Sequence, residues 1–299
     1  MSRFELDAIA ADLERALSAP GDRIAPAALA IARIEHPHLD PRPHLEQLDE
    51  FGLQAARRLD GIEGERARVR ALNRYIFGAL GFAANREQYL DPRNSFLNVV
   101  LERRVGIPIT LSVVYIEIGR RAGLPLEGVG FSGRFLVHPV GGGPVGETLI
   151  IDPFAGGKLR SQADCFALLR EQAGEDARWH PSLLAPADRR TMALRMLTNL
   201  KRAYVALRSF AHARRAADLL VALDPSAISE LRDRGLFSYH LEDFSAALRD
   251  LEKYLALIPK AESSLDDDDE SGRDEGAREE GKAIWEHVKN LRRRVASFN

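Results

Sequence analysis

Apolar residues recur at helical spacing along most of the chain and alternate in only one stretch. Phe4, Leu6, Ile9, Leu13 and Leu17 form one stripe, which Pro20 and Gly21 stop. Ala27 to Ile34 predicts a second, short helix, ended by the proline-rich run HPHLDPRPH. Leu45, Leu48, Phe51 and Leu59 mark a third helix, and Val69, Leu72, Tyr75, Ile76 and Leu80 a fourth with Gly81 at its C-terminal end. Asn94 or Ser95 can cap a short helix running to Leu101. Pro108 suits the first turn of the next helix, because its missing N–H would have no partner there. Leu111, Val114, Tyr115 and Ile118 give that helix an apolar face, with Glu117 off it.

The pattern changes period after Gly123. Residues 128–131, 134–139 and 147–152 are short strand-like runs separated by the turn signals SG and GGGP. They predict an antiparallel meander packed on the preceding helix. PFAGGKL then reads as a loop, and helical spacing resumes to the end.

An internal repeat occupies the C-terminal half. Leu207 and Leu241, Phe210 and Phe244, Ala213 and Ala247, and Pro225 and Pro259 all share an offset of 34 residues. That period, with a small residue in the second helix and a terminal proline, is the tetratricopeptide signature. Two repeats are fewer than such arrays usually need, so they must draw on core from elsewhere. Tyr204, Arg232 and Tyr239 are the residues expected to line a groove on these repeats. The run SSLDDDDESGRDEGAREEG is too polar to bury and predicts a disordered acidic linker. Ile284, Val288, Leu291 and Val295 then predict a final helix that caps the repeats. The expected organisation is 1–185 helical region plus core, 186–260 repeats, 261–281 linker and 282–299 capping helix.

Charge and composition narrow the function. With 42 Lys and Arg against 44 Asp and Glu, there is no basic excess to suggest a nucleic-acid partner. One cysteine excludes an internal disulfide framework and a cysteine-built zinc site. The N-terminus lacks the pattern of a signal peptide, and no run reaches the roughly 18 apolar residues of a membrane span. The expectation is a soluble, cytoplasmic protein without membrane association.

Candidate chemistry is sparse. The glycines of GVGFSG and GGGPVG read as turns, since neither matches a phosphate-binding loop. His36, His38, Asp40 and His44 cluster among prolines without metal-ligand spacing, so neither a metal nor a cofactor is expected. Cys165 lies inside a helical pattern beside Phe166 and Leu168, where a buried structural thiol is expected rather than a nucleophile.

The run from Asp91 to Pro139, DPRNSFLNVVLERRVGIPITLSVVYIEIGRRAGLPLEGVGFSGRFLVHP, followed by LIIDPFAGGKL, resembles the SirB-type family of bacterial proteins. NLKRAYVALRSF and LRDRGLFSYHLEDFSAALRDLEKYL extend the resemblance to most of residues 30–260. It implies an α+β fold: a helical N-terminal region and a transglutaminase-like core with a small antiparallel sheet, followed by tetratricopeptide-type repeats. Such cores place a cysteine at a helix start, a histidine on the following strands and an aspartate on a further strand. Here Pro108 falls at the cysteine position and Arg134 at the histidine position, while Asp152 keeps the acidic one. Arginine stays protonated and cannot act as the general base. His138 lies about 13 Å along an extended strand from Arg134, too far to replace it.

The resemblance places Asn94, Ser95, Asn98, Tyr115, Arg134 and Asp152 around one cleft, with Arg134 and Asp152 able to pair. Arg103 and Arg104 read by default as charged surface, with Glu102 or Asp91 within reach as partners. Two functions follow. The first is a non-catalytic interaction or scaffold protein that holds a protein or peptide partner on its repeats. The alternative is a hydrolase or acyltransferase using Thr110 or Ser112, which needs a titratable group within about 3 Å of the hydroxyl.

Overall fold

The computed structural model describes residues 3–131, 133–141, 149–174, 176–257 and 284–293. They divide into two compact units, one up to Ala203 and one from Tyr204 onward. The acidic linker expected over 261–281 lies outside the described residues, as do Pro259, Val295 and the first two residues of the third expected strand.

The first unit begins with α1 (Arg3–Ser18), α2 (Ala25–Ala32), α3 (Arg42–Leu59) and α4 (Glu65–Asn73). In α1, Ile9, Leu13 and Leu17 are buried, but Phe4 is 82% exposed, so the inward stripe starts later than its spacing suggested. Helix α4 widens into a π-turn over Arg74–Ala79 and ends at Gly81, whose positive φ of 73° a glycine adopts without strain. Next come β1 (Ala83–Ala84), a 3₁₀ turn at Pro92–Ser95, α5 (Leu97–Arg103), β2 (Val105–Gly106) and α6 (Pro108–Arg121). The short strands β1 and β2 pair in parallel through Ala83 with Val105 and Ala84 with Gly106.

Helix α6 organises this unit. The spacing predicts one apolar face, yet every residue from Pro108 to Gly119 is buried, because α6 packs against α3 as well as against the sheet. The sheet contains β3 (Leu126–Val129), β4 (Leu136–Pro139), β5 (Ile150–Asp152), β6 (Lys158–Arg160) and β7 (Pro186–Ala187), in the order β6-β5-β4-β3-β7. All its pairs are antiparallel. The meander β3–β4–β5 follows the alternating pattern. The edge strands β6 and β7 do not: β6 hides behind a 3₁₀ turn at Pro153–Ala155 in what reads as a loop, and β7 is two residues that include a proline. Helix α7 (Gln162–Ala173) presses Cys165, Leu168 and Leu169 onto Val129, Phe131, Leu136 and Ile150. Burial pushes the Cys165 thiol up to about 11, so it stays protonated. Helix α8 (Arg189–Ala206) follows β7.

The second unit holds α9 (Phe210–Leu223), α10 (Ile228–His240), α11 (Phe244–Leu257) and α12 (284–293). The repeat is visible in the backbone. Tyr204 O accepts from Ser209 N at 2.8 Å, and 34 residues later Ser238 O accepts from Asp243 N at 3.0 Å. Arg208 and Glu242, also 34 apart, both take left-handed conformations, with φ of 54° and 60°. Ala213 and Ala247 are both fully buried, as the close approach of paired helices requires. At Gly235 a β-carbon would lie 2.8 Å from the Leu251 side chain, so α10 and α11 touch there through glycine. Helix α12 places Ile284, Val288 and Leu291 against Ala247, Leu251 and Tyr254.

Candidate functional site

The residues assigned to a cleft lie in one part of the first unit, but most of their polar atoms are engaged internally. Asn94 is fully buried; its Oδ1 accepts from Asn85 Nδ2 at 3.0 Å, and its Nδ2 donates to Gln88 O at 2.7 Å. Neither Asn94 nor Ser95 caps α5. Phe96 occupies that position without a side-chain bond, and the two polar residues belong to the preceding 3₁₀ turn, which Asp91 caps through Arg93 N. Asn98, on α5, is 8% exposed, and its Oδ1 has no hydrogen-bond partner.

The block Arg103-Arg104-Val105-Gly106-Ile107-Pro108 is a structural clasp. Arg103 reaches Asp91 at 3.5 Å. Arg104 is neither free surface charge nor, among the described residues, paired with a carboxylate. It has a left-handed backbone, and its guanidinium sits over the rings of Phe51 (4.5 Å) and Phe82 (4.9 Å). Burial lowers its pKa. Thr110 closes the clasp: its Oγ1 accepts from Ile107 N at 3.1 Å and donates to Asn94 O at 2.7 Å. A β-carbon on residue 106 would come within 2.7 Å of that same oxygen, which is why glycine stands there.

Pro108 begins α6 with no ionisable atom. The two candidate hydroxyls nearby are fully buried, and each donates to a main-chain carbonyl, Thr110 to Asn94 O and Ser112 to Phe135 O at 3.0 Å. An amide carbonyl cannot take the proton of a nucleophile, so neither bond activates its hydroxyl.

Asp152 is fully buried, but its partner differs from the expected one. Its Oδ1 accepts from Ala155 N at 3.1 Å, and its Oδ2 accepts from Arg160 Nη2 and Nε at 2.7 and 3.2 Å. Lys158 stands opposite Asp152 in the β5–β6 ladder, so Arg160 is the diagonal neighbour on the same face. Arg134 instead packs its guanidinium 5.7 Å from the Phe154 ring. His138, opposite Glu127 on β4, has Nδ1 3.0 Å from Pro139 O. Tyr115 donates to Asn73 Oδ1 at 2.8 Å, and Asn73 Nδ2 donates to Gly157 O at 2.7 Å. This relay ties α6, α4 and the turn after β5 together, and burial raises the phenol pKa.

Sequence reasoning missed Glu117, which is buried at the centre of the unit. Its Oε1 accepts from Ile24 N (2.7 Å) and Ala25 N (3.0 Å) at the start of α2, and its Oε2 meets Arg121 and Arg120. Burial works against the charged form, but the Ala25 N–H and Arg121 outweigh it and hold the pKa below the usual carboxylate range. An acidic residue one step from an apolar stripe carries no sequence mark of the helix N-terminus it faces.

In the second unit, the residues expected to form a groove do not offer an open face. Tyr204 is 2% exposed and stacks on His212, with ring centroids 5.0 Å apart. Tyr239 lies edge-on to His287 of α12 at 5.3 Å and to Phe244 at 6.0 Å. Arg232 is half-buried and donates to the adjacent Asp233 at 2.7 Å. The exposed large apolar residues among those described here are Val205, Leu207, Leu241, Leu257 and Trp285. Among the described residues, no group of three or more His, Cys, Asp or Glu is arranged to hold a metal ion, and no helix is long and apolar enough to cross a membrane.

Comparison with known proteins agrees with this division. The transglutaminase-like superfamily profile matches residues 42–198, and a tetratricopeptide repeat profile matches residues 200–269. A UPF0162 protein of Xylella fastidiosa is 40% identical over 236 residues, covering 78% of this chain and 83% of its own length. One from Vibrio cholerae is 32% identical over 195 residues, covering 65% and 71%. Human F-box only protein 21 is 29% identical over 180 residues, which is 57% of this chain and 28% of that protein.

Proposed function

Since the chain belongs to the transglutaminase-like superfamily together with the bacterial UPF0162 proteins, we propose that it is a non-catalytic interaction protein: a degenerate core that supports a helical-repeat surface for a protein or peptide partner. The observation that carries this reading is Thr110. The hydroxyl nearest the cysteine position assigned by resemblance is a buried tie between Asn94 O and Ile107 N. Pro108 and Arg134 supply neither a nucleophile nor a base. The SirB-type assignment, resting on the Arg-Arg-x-Gly-Ile-Pro and Ile-Asp-Pro-Phe blocks, is part of the same reading, as is action in the cytoplasm.

Two assays test it. Intact-mass analysis after exposure to an activated acyl ester should show no adduct on the wild type beyond that on Thr110→Val/Ser112→Ala. An adduct lost only in that double variant would revive the acyl-transfer alternative. Quantitative pull-down with the full chain should recover a partner that Leu207→Asp/Leu241→Asp loses while keeping its helical content. Equal recovery by both would sink the repeat-surface reading.

A further inference from the structure

Four arginines from three separate segments gather around Tyr89 and Phe154. The buried Phe154 ring has Arg86 Cζ 4.8 Å and Arg134 Cζ 5.7 Å from its centroid, and Tyr89 meets it edge-on at 6.0 Å. Arg86 donates one N–H to Phe154 O at 3.1 Å, which leaves the rest of its fork unused. Arg195 and Arg202 lie seven residues apart on α8, two turns along one face. Both, with Arg134, are close enough to act electrostatically on the Tyr89 hydroxyl.

Among those described elsewhere in this unit, several buried or half-buried arginines have carboxylate partners, Arg33 with Asp12, Arg121 with Glu117, and Arg160 with Asp152, whereas Arg104 stands alone between aromatic rings. Among the described residues, none of Arg86, Arg134, Arg195 or Arg202 has such a partner. Arg195 is half-buried; burial first and Arg202 second disfavour its charge, and Tyr89 gives only slight relief. Stacking on Phe154 accounts for the position of Arg86 and Arg134, but not for four like charges brought together without a counterion. At Arg195, burial and the neighbouring Arg202 both oppose the charge, and an anion entering beside them would relieve both.

We propose that Arg86, Arg134, Arg195 and Arg202, with the Tyr89 hydroxyl, form a binding site for a multiply charged phosphate group. Guanidinium forks match phosphate oxygens bidentately, and four of them exceed what one carboxylate could neutralise. Burial, more than the neighbouring arginines, sets the Tyr89 pKa, which lies above its usual value, so the phenol keeps its proton and donates. The Tyr89 side is open, with the residue 38% exposed, so a ligand can enter. The site goes beyond the repeat-surface reading and does not depend on it.

The probe is inorganic pyrophosphate, titrated calorimetrically into the full chain at low and at physiological salt. Saturable binding is expected, weakening as salt rises. Arg134→Ala and the exposed Arg202→Ala should each weaken it about tenfold with an unchanged melting temperature. Arg66→Ala, in the exposed Arg66-Arg70-Arg74 stripe of α4 and the π-turn that follows it, should leave it unchanged. Absence of saturable binding, or an equal loss in Arg66→Ala, would overturn the site. Citrate binding as tightly as pyrophosphate would overturn the phosphate assignment.

Discussion

Both units bury a carboxylate against arginine, but they span the chain differently. In the first, Glu117 bonds to Ile24 N and Ala25 N, 93 and 92 residues away, so a single carboxylate ties the central helix α6 to the start of α2. In the second, Asp250 takes a bidentate fork from Arg234 at 2.7 and 2.8 Å, only 16 residues away, between adjacent helices of one repeat. Burial opposes the charge on Arg234, yet Asp250 and Asp218 outweigh it and raise its pKa. The core is a non-local structure whose pieces depend on one another. The repeats are held by near neighbours, so damage there should stay closer to its origin.

The sharpest test of that contrast is Glu117→Ala. It strands two N–H groups in the interior and removes the carboxylate from Arg120, while Arg121 keeps only Asp49, and should cost about 3–5 kcal/mol, lowering the first unit's unfolding midpoint in urea. The same residue predicts a pH dependence. Its folded pKa lies below the free value of 4.5, so its stabilisation is complete above that pH and is lost as pH falls through the folded value. Acid titration of wild type against Glu117→Gln should show a shallower loss of stability in the variant. Asp250→Ala should come next, at about 3 kcal/mol, with hydrogen exchange accelerated in α10 and α11 but not in α6. An equal effect on α6 would remove the contrast between the units.

Tyr115→Phe leaves Asn73 Oδ1 without its donor and should cost about 1–2 kcal/mol by thermal unfolding. The smallest effect runs the other way. Arg208→Gly and Glu242→Gly place glycine at left-handed positions and should each stabilise the repeats by about 1 kcal/mol.

Much of the helical architecture was legible because burial follows periodicity. Ile9, Leu13 and Leu17, the small residues at 213 and 247, and the start of α6 at Pro108 all lie where spacing and proline chemistry put them. The strands β6 and β7 were not legible, since two or three residues carry no alternation, and with β6 the partner of Asp152 was hidden. Arg134 was matched to Asp152 by its place in a family pattern, whereas strand register gives that carboxylate to Arg160. Thr110 and Ser112 stood out as hydroxyls near a lost nucleophile. Their use as ties to main-chain carbonyls depends on Asn94 and Phe135, 16 and 23 residues away, which no local pattern encodes. The repeat periodicity located helices but did not show which ring faces solvent: Tyr239 is covered by a residue 48 positions further on.

The bond from Glu117 to the start of α2 also decides where the chain can be cut. The transglutaminase-like profile match begins at Arg42, and a piece begun there would read as the whole transglutaminase-like region. It would nonetheless lack the two N–H groups that satisfy the carboxylate at its centre, along with the apolar face that α2 lays on α5. The profile boundary therefore leaves out α2, whose first N–H groups hold the Glu117 carboxylate. Any fusion, truncation or transplanted core has to carry the segment from Ile24 onward to keep its central helix intact.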